Sequence, residues 1–156
     1  RLVADWVSSP EHFWTEYPLP SVPASDPKYM PGNPGGFIWR GPSWINTNWF
    51  LSHALRGHGY SELADVIAVK SLECIEKSGF REYYHPHTAE GLGARDFGWS
   101  TLILDMGVGL ELGRRVEIPR LRDDVAGHEM KKRPVIRGAF SCLGYLLSIV
   151  SFGGGY

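Results

Sequence analysis

GFREYYHPHTAEGLGARDFGWS, residues 79–100, holds the densest chemistry in this chain. One acidic residue, Glu82, follows Phe80 and Arg81 and leads into Tyr83 and Tyr84. After a turn around Pro86 come Gly91, Leu92 and Gly93, and then an aromatic pair, Phe97 and Trp99. Upstream lies a second dense segment, WRGPSWINTNW at 39–49. Tryptophans separated by amides and one Arg are a poor recipe for a core. They suit a sugar, whose C–H faces stack on rings while its hydroxyls need paired donors and acceptors. On these residues the chain reads as one end of a carbohydrate-active enzyme.

Helical spacing surrounds both segments. Pro42 is expected to open a helix at its first turn, where a missing N–H costs nothing. Residues 43–56 continue it, with Ile45, Trp49, Ser52 and Arg56 on one stripe and Trp44, Asn48, Leu51 and Leu55 on the next, until Gly57 and Gly59 stop it. Ser61 is the expected N-cap of a second helix reaching to Ser78, with Leu63, Ala64, Ile67, Ala68, Leu72 and Ile75 as its apolar set. Gly79 ends that helix. A third begins near Phe97 or Trp99, capped by Asp96, and covers 101–106. No alternating strand pattern competes, so the expected fold is all-α. Residues 1–42 are rich in Pro and Gly, as in PLPSVPASDP (18–27) and PGNPGG (31–36). After a short helical start they read as a long loop. Its aromatics (Phe13, Trp14, Tyr17, Phe37, Trp39) argue for a loop packed over an active site.

A length of 156 residues accommodates one domain with a real hydrophobic core. The formal net charge of -1 gives no reason to expect nucleic acid or an anionic membrane as partner. Five of the six Trp fall in the first fifty residues, an asymmetry that suits a ligand-facing surface. Cys74 and Cys142 have neither metal-ligand spacing nor a disulfide framework, and both are expected as buried free thiols. The compartment stays open, with the thiols leaning to the cytoplasm. The chain begins with Arg, and LVADWV reads like the middle of a helix. An N-terminal portion is therefore expected to precede it. Residues 107–156 change character, being charged over 114–133 and apolar over 138–152. The apolar run is shorter than the ~20 residues of a membrane-spanning helix, and reads as a peripheral helix or a divergent or poorly ordered tail, with a membrane segment as the third reading.

Among candidate chemical groups, Glu82 comes first. A carboxylate crowded by Phe80, Tyr83 and Tyr84 suits a general base on water; the plainer reading is a surface Glu beside Arg81. Trp39 in the loop and Trp44 in a first helical turn point to a cleft mouth, whereas Trp49 reads as core. Asn46 and Asn48 either cap locally or hydrogen-bond sugar hydroxyls. Arg40 either binds a carboxylate or hydroxyls, or pairs with a structural acid. His85 and His87 read as turn residues around Pro86, since two imidazoles without a third ligand are a weak metal signal. No Lys-Ser/Thr follows Gly91 and Gly93, which argues against a phosphate loop. No metal or cofactor is expected. Asp26, Glu62, Asp65 and Asp96 all have structural explanations, so none is a convincing second carboxyl group.

As a set, the 39–49 segment, the His58-Gly59-Tyr60 turn and the EYYHP…GLGARDFGWS run resemble the C-terminal part of glycoside hydrolase family 63. That group includes the mannosylglycerate and glucosylglycerate hydrolases and processing α-glucosidase. The FGWS turn is also similar to that of trehalases. The resemblance covers residues 37–106 and implies part of an (α/α)6 barrel that hydrolyses α-glycosidic bonds with inversion. It places Glu82 on the family's general base and Trp39, Arg40, Gly41 and Trp44 on its sugar-binding segment. Asn48 and Trp99 join them as expected substrate contacts. The family's general acid, an Asp, lies upstream of this chain. Ile38 stands where several members carry an aromatic, and His85 stands in place of the usual Asp or Asn. Residues 1–106 are thus expected to form the C-terminal portion of the barrel domain, with 107–156 a divergent tail. The implied partner is a small carbohydrate, an α-linked glucoside or mannoside of oligosaccharide or glycosylglycerate type. An inactive sugar-binding relative, a trehalase-like hydrolase and a helical interaction domain are the alternatives. An inverting glycosidase needs two carboxyl groups ~6.5–9.5 Å apart with water between them. The isolated chain, carrying one, is expected to be inactive.

Overall fold

Ser43 is the backbone hub of the molecule. In the computed structural model, which describes residues 1–110 except Pro18, Asn33 and Gly109, its N–H donates to the Tyr84 carbonyl at 2.8 Å. The Tyr84 N–H returns a bond to the Ser43 carbonyl at 2.9 Å, and Pro20 bridges Ser43 from the other side. Residues 42–44 are therefore held extended, and Trp44 has ψ 131°. This overrides the expected helix start at Pro42: the helix α1 runs Ile45–Gly57, with Trp44 as its N-cap. Its buried face is Ile45, Asn48, Ser52 and Leu55.

Gly59, at φ +84°, turns the chain into α2, Ser61–Ser78. Ser61 is its first helical residue and the cap position falls to Tyr60, without a side-chain cap bond. The apolar stripe read from spacing packs as expected, with Ala64, Ile67, Ala68, Leu72 and Ile75 all buried. Cys74 is a buried free thiol on the same face, and burial pushes its pKa up. Arg56 and Asp65 tie α1 to α2 through a half-buried pair at 2.5 Å. Gly79, at φ +72°, ends α2.

The all-α expectation needs a correction. Strand β1, Arg81–Tyr84, pairs antiparallel with β2, Gly91–Arg95, in a two-stranded sheet. Glu82 thus lies in a strand and Gly91–Leu92–Gly93 in its partner, where loops were expected. The strands are short and β2 is glycine-rich, so no alternation marks them. Their pairing is stabilised instead by the Ser43–Tyr84 bridge and by the Tyr84 side chain. Tyr84 is buried, its O–H donates to the Gly79 carbonyl at 2.8 Å, and its oxygen accepts the Arg81 N–H at 3.0 Å. Asp96 does not cap the next element. It has φ +53°, and a 3-10 turn, Gly98–Leu102, with Phe97 at its cap leads into α3, Ile103–Val108.

The Pro/Gly-rich loop is strapped onto the helices. Leu19 is buried, and Phe13, Trp14 and Tyr17 pack against the core. Gly41 lets this loop close: at φ +136°, a Cβ there would stand 2.9 Å from the Met30 and Pro31 backbone. Among the described residues no helix is long and apolar enough to cross a membrane. Cys142, the charged 114–133 stretch and the apolar 138–152 run lie outside the described residues.

Candidate active site

Glu82 faces a bulge. Arg81 pairs with Arg95 and Tyr83 with Leu92, so Gly93 and Ala94 together oppose the single residue Glu82. Gly93 adopts φ +66°, the left-handed conformation that a glycine-containing bulge requires. The extra residue turns the Ala94 N–H onto Glu82, donating to Oε2 at 3.0 Å. A Cβ on Gly93 would meet Oε2 at 2.5 Å and Tyr83 Cε1 at 2.7 Å, so the carboxylate and that ring lie against the same glycine. Among the described residues Glu82 Oε1 has no hydrogen-bond partner. Arg81, its neighbour, spends Nη2 on the Gly93 carbonyl at 2.9 Å. Glu82 as a residue is half-buried, and its carboxylate is anchored through one oxygen by a solvent-exposed hydrogen bond. Gly93→Ala is expected to lower the unfolding free energy by about 1–3 kcal/mol through backbone strain and the displaced carboxylate. Urea denaturation measures this, and an unchanged midpoint would mean that Glu82 moves aside without cost.

A stack of rings adjoins Glu82 through Tyr83. Trp44 stacks under Trp39 with centroids 3.9 Å apart and planes 7° from parallel. Its ring meets Tyr83 at 4.8 Å and Trp99 at 5.8 Å. Phe97 meets Trp99 edge-on at 5.5 Å. Trp44 is only 1% exposed, and its Nε1–H donates to the Ile38 carbonyl at 2.9 Å. It is the pin of the stack and not a residue of the cleft mouth, because the extended 42–44 backbone turns it inward. Trp39 and Trp99, each 46% exposed, are the rings that present surface. Trp39 also borders an apolar cavity of about 380 Å³ lined by Val7, Phe13, Leu19, Pro20, Ser21, Thr47, Asn48 and Leu51.

Asn48 is placed elsewhere than its expected role requires. It is 1% exposed, and its Oδ1 accepts the Leu19 N–H at 2.9 Å. Its Nδ2 donates to the Leu19 carbonyl at 3.0 Å and to the Trp44 carbonyl at 2.9 Å. Both ends of the amide are consumed in strapping the loop to α1. Trp49, by contrast, is half-buried and donates Nε1–H to Asp105 Oδ2 at 2.6 Å. Arg40 lies over the Phe37 ring, 4.2 Å from its centroid, and makes no ion pair among the described residues. Gly41 serves as the close-approach point described above, and its N–H donates to Ser21 Oγ at 3.0 Å.

Two clusters escaped the sequence reading because their members are far apart in the chain. His87 Nδ1 meets Glu16 Oε2 at 2.5 Å, and its Nε2 meets the Tyr29 hydroxyl at 2.8 Å. Burial works against the Glu16 charge, but its backbone hydrogen bond and His87 hold its pKa below the usual value. Tyr29 is pushed up to about 12 by burial and by the Glu16 charge. Asp105 Oδ2 takes bonds from Trp49 and from His53 at 2.8 Å, tying α3 to α1; the Trp49 bond first, then His53, lowers its pKa. Among the described residues no group of three His, Cys, Asp or Glu is placed to hold a metal ion.

The family model of the mannosylglycerate hydrolase MGH1-like glycoside hydrolase domain matches residues 1–100, which include Glu82 and the whole ring stack. The chain belongs to this family. The match extends N-terminal to the 37–106 span that carries the motifs, and takes in the strapped loop. This MGH1-like glycoside hydrolase chain is 41% identical over 87 residues to a mannosylglycerate hydrolase of Thermus thermophilus, covering 56% of the chain and 20% of that protein. It is 30% identical over 79 residues to a glucosylglycerate hydrolase of Mycolicibacterium hassiacum, covering 51% and 18%. A crystal structure of a GH63 mannosylglycerate hydrolase from Thermus thermophilus in complex with glucose superposes with a TM-score of 0.53 at 40% identity. It covers 59% of this chain and 22% of the other. The MGH1-like chain therefore spans about a fifth of the length of these relatives.

Proposed function

We propose that this chain is the C-terminal part of an inverting α-glycosidase, with residues 1–106 belonging to an (α/α)6 barrel. The reading rests above all on Glu82, a carboxylate anchored through one oxygen on a bulge beside the aromatic stack. Family membership supports it: the named relatives hydrolyse mannosylglycerate and glucosylglycerate. The substrate class that follows is an α-linked mannoside or glucoside of glycerate or of a small oligosaccharide.

The chemistry follows from the geometry. Ala94 fixes Oε2, so Oε1 is the atom available to a water molecule. As that water attacks the anomeric carbon, Oε1 takes its proton. A carboxylic acid from the remainder of the barrel protonates the departing oxygen on the opposite face. Trp39 and Trp99 offer ring surface to the pyranose C–H face, while the cation of Arg40 is available to a substrate carboxylate or hydroxyl.

Inversion has a direct test. Proton NMR of the first product formed from an α-linked substrate by the full-length enzyme should show the β-anomer before mutarotation. Appearance of the α-anomer first would replace the base with a nucleophile and overturn the mechanism. The 156-residue chain by itself is expected to give no turnover.

A further inference from the structure

We infer that His87 is a positioning residue: by bridging Glu16 and Tyr29 it fixes the Pro/Gly-rich loop to the β1–β2 hairpin, and so sets where Trp39 and Arg40 stand relative to Glu82. Three chain segments meet at this imidazole. A carboxylate only accepts, so the proton on Nδ1 belongs to the Glu16 bond of 2.5 Å. That leaves Nε2 for Tyr29, 2.8 Å away. Neutral, Nε2 accepts the phenol O–H; protonated, it donates to the phenol oxygen. The bridge therefore holds in either state of the imidazole.

Each partner anchors a different part of the loop. Beside Glu16, the Tyr17 N–H donates to the Pro86 carbonyl at 2.9 Å, and Lys70 from α2 donates to the Thr15 carbonyl at 2.6 Å. That end is held several times over. The far end is not. After Tyr29, the Met30 N–H donates to the Arg40 carbonyl at 2.5 Å, and Gly41 stands against the Met30 and Pro31 backbone. The segment bearing Trp39 and Arg40 thus travels with Tyr29. The hairpin is independently fixed through Ser43 and Tyr84, as described above. Loosening the bridge releases Tyr29 and lets the sugar-facing rim shift about the Trp39–Trp44 stack, while the Glu82 strand stays in place.

Limited trypsin digestion of the full chain reads this directly. Lys28 is exposed, and the Lys28–Tyr29 bond adjoins the bridged phenol. Cleavage there should be about fivefold faster in Tyr29→Phe, the effect of losing one hydrogen bond of ordinary net strength. His87→Ala should be cut faster still. His87→Gln, whose amide keeps a donor and an acceptor, should fall between it and the parent. Cleavage at Lys70 and Lys77 within α2 should not change. An unchanged Lys28 rate in Tyr29→Phe overturns the inference, as does a parallel rise at the α2 lysines, which signals general loosening. The consequence for substrate rests on the glycosidase reading. In the active enzyme Tyr29→Phe should raise KM several-fold at unchanged kcat, and a fall in kcat at unchanged KM would contradict the assigned role. Absence of turnover in the parent enzyme would defeat the glycosidase reading alone, because the digestion pattern does not depend on it.

Discussion

Glu82→Gln in the full-length enzyme is expected to lower kcat by about 10²–10⁴-fold, the range that a positioned general base contributes. The substitution keeps the shape of the side chain and an oxygen to accept the Ala94 N–H, so the bulge and its anchor persist. What it removes is basicity at the outer atom, Oε1. An amide does not take a proton from water at neutral pH, and the attacking oxygen stays a poor nucleophile. Binding should survive, because Trp39 and Trp99 are untouched. A disaccharide titration followed by tryptophan fluorescence should give a dissociation constant close to that of the parent, with an unchanged melting temperature. If turnover stays within tenfold of the parent, Glu82 is not the base. If turnover and fluorescence response disappear together with the fold, the carboxylate serves structure instead.

Asn48→Ala carries the second large effect, and it falls on stability. The substitution leaves the Leu19 N–H and carbonyl without their amide partners at a site 1% exposed. The Trp44 carbonyl keeps the Thr47 hydroxyl at 3.0 Å and the Asn48 N–H at 3.1 Å, so it is not orphaned. Two buried groups at about 1–3 kcal/mol each predict a loss of roughly 2–6 kcal/mol. Against a total stability of about 5–15 kcal/mol that is a large share. For a chain of this size, at about 2–4 °C per kcal/mol, it lowers the melting temperature by roughly 4–24 °C. Thermal denaturation of the chain alone measures it. The outcome separates the observed role from the expected one: a sugar contact would leave the melt unchanged and raise only KM.

That contrast shows where the sequence was readable. The α2 stripe and the Gly79 stop were legible because periodicity and a φ > 0 glycine are local properties. The aromatic segments were legible as a cluster because Trp with Asn and Arg departs from core composition. The hairpin was not. Its strands derive their pairing from the Ser43–Tyr84 bridge, which spans about forty residues, and from side-chain bonds of the Tyr84 hydroxyl, none of which leaves a period in REYY or GLGAR. The same long-range pairing of Ser43 moved the start of α1 to Ile45 and turned Trp44 inward, although Pro42 is a sound helix opener by local rules. Asn48 was misread for a related reason. Its partner Leu19 lies in the proline-rich loop, and nothing in that loop's composition says which helix it crosses. The Glu16–His87–Tyr29 bridge joins positions whose neighbours in sequence have no chemical kinship with it.

Trp44 carries a consequence of its own. One indole touches the loop through Trp39, the hairpin through Tyr83 and the 3-10 turn through Trp99, while remaining closed to solvent. It acts as a hidden axle with two outward vanes. Under the proposed function, changes to the vanes alter which glycoside is preferred while the axle keeps the Glu82 strand true.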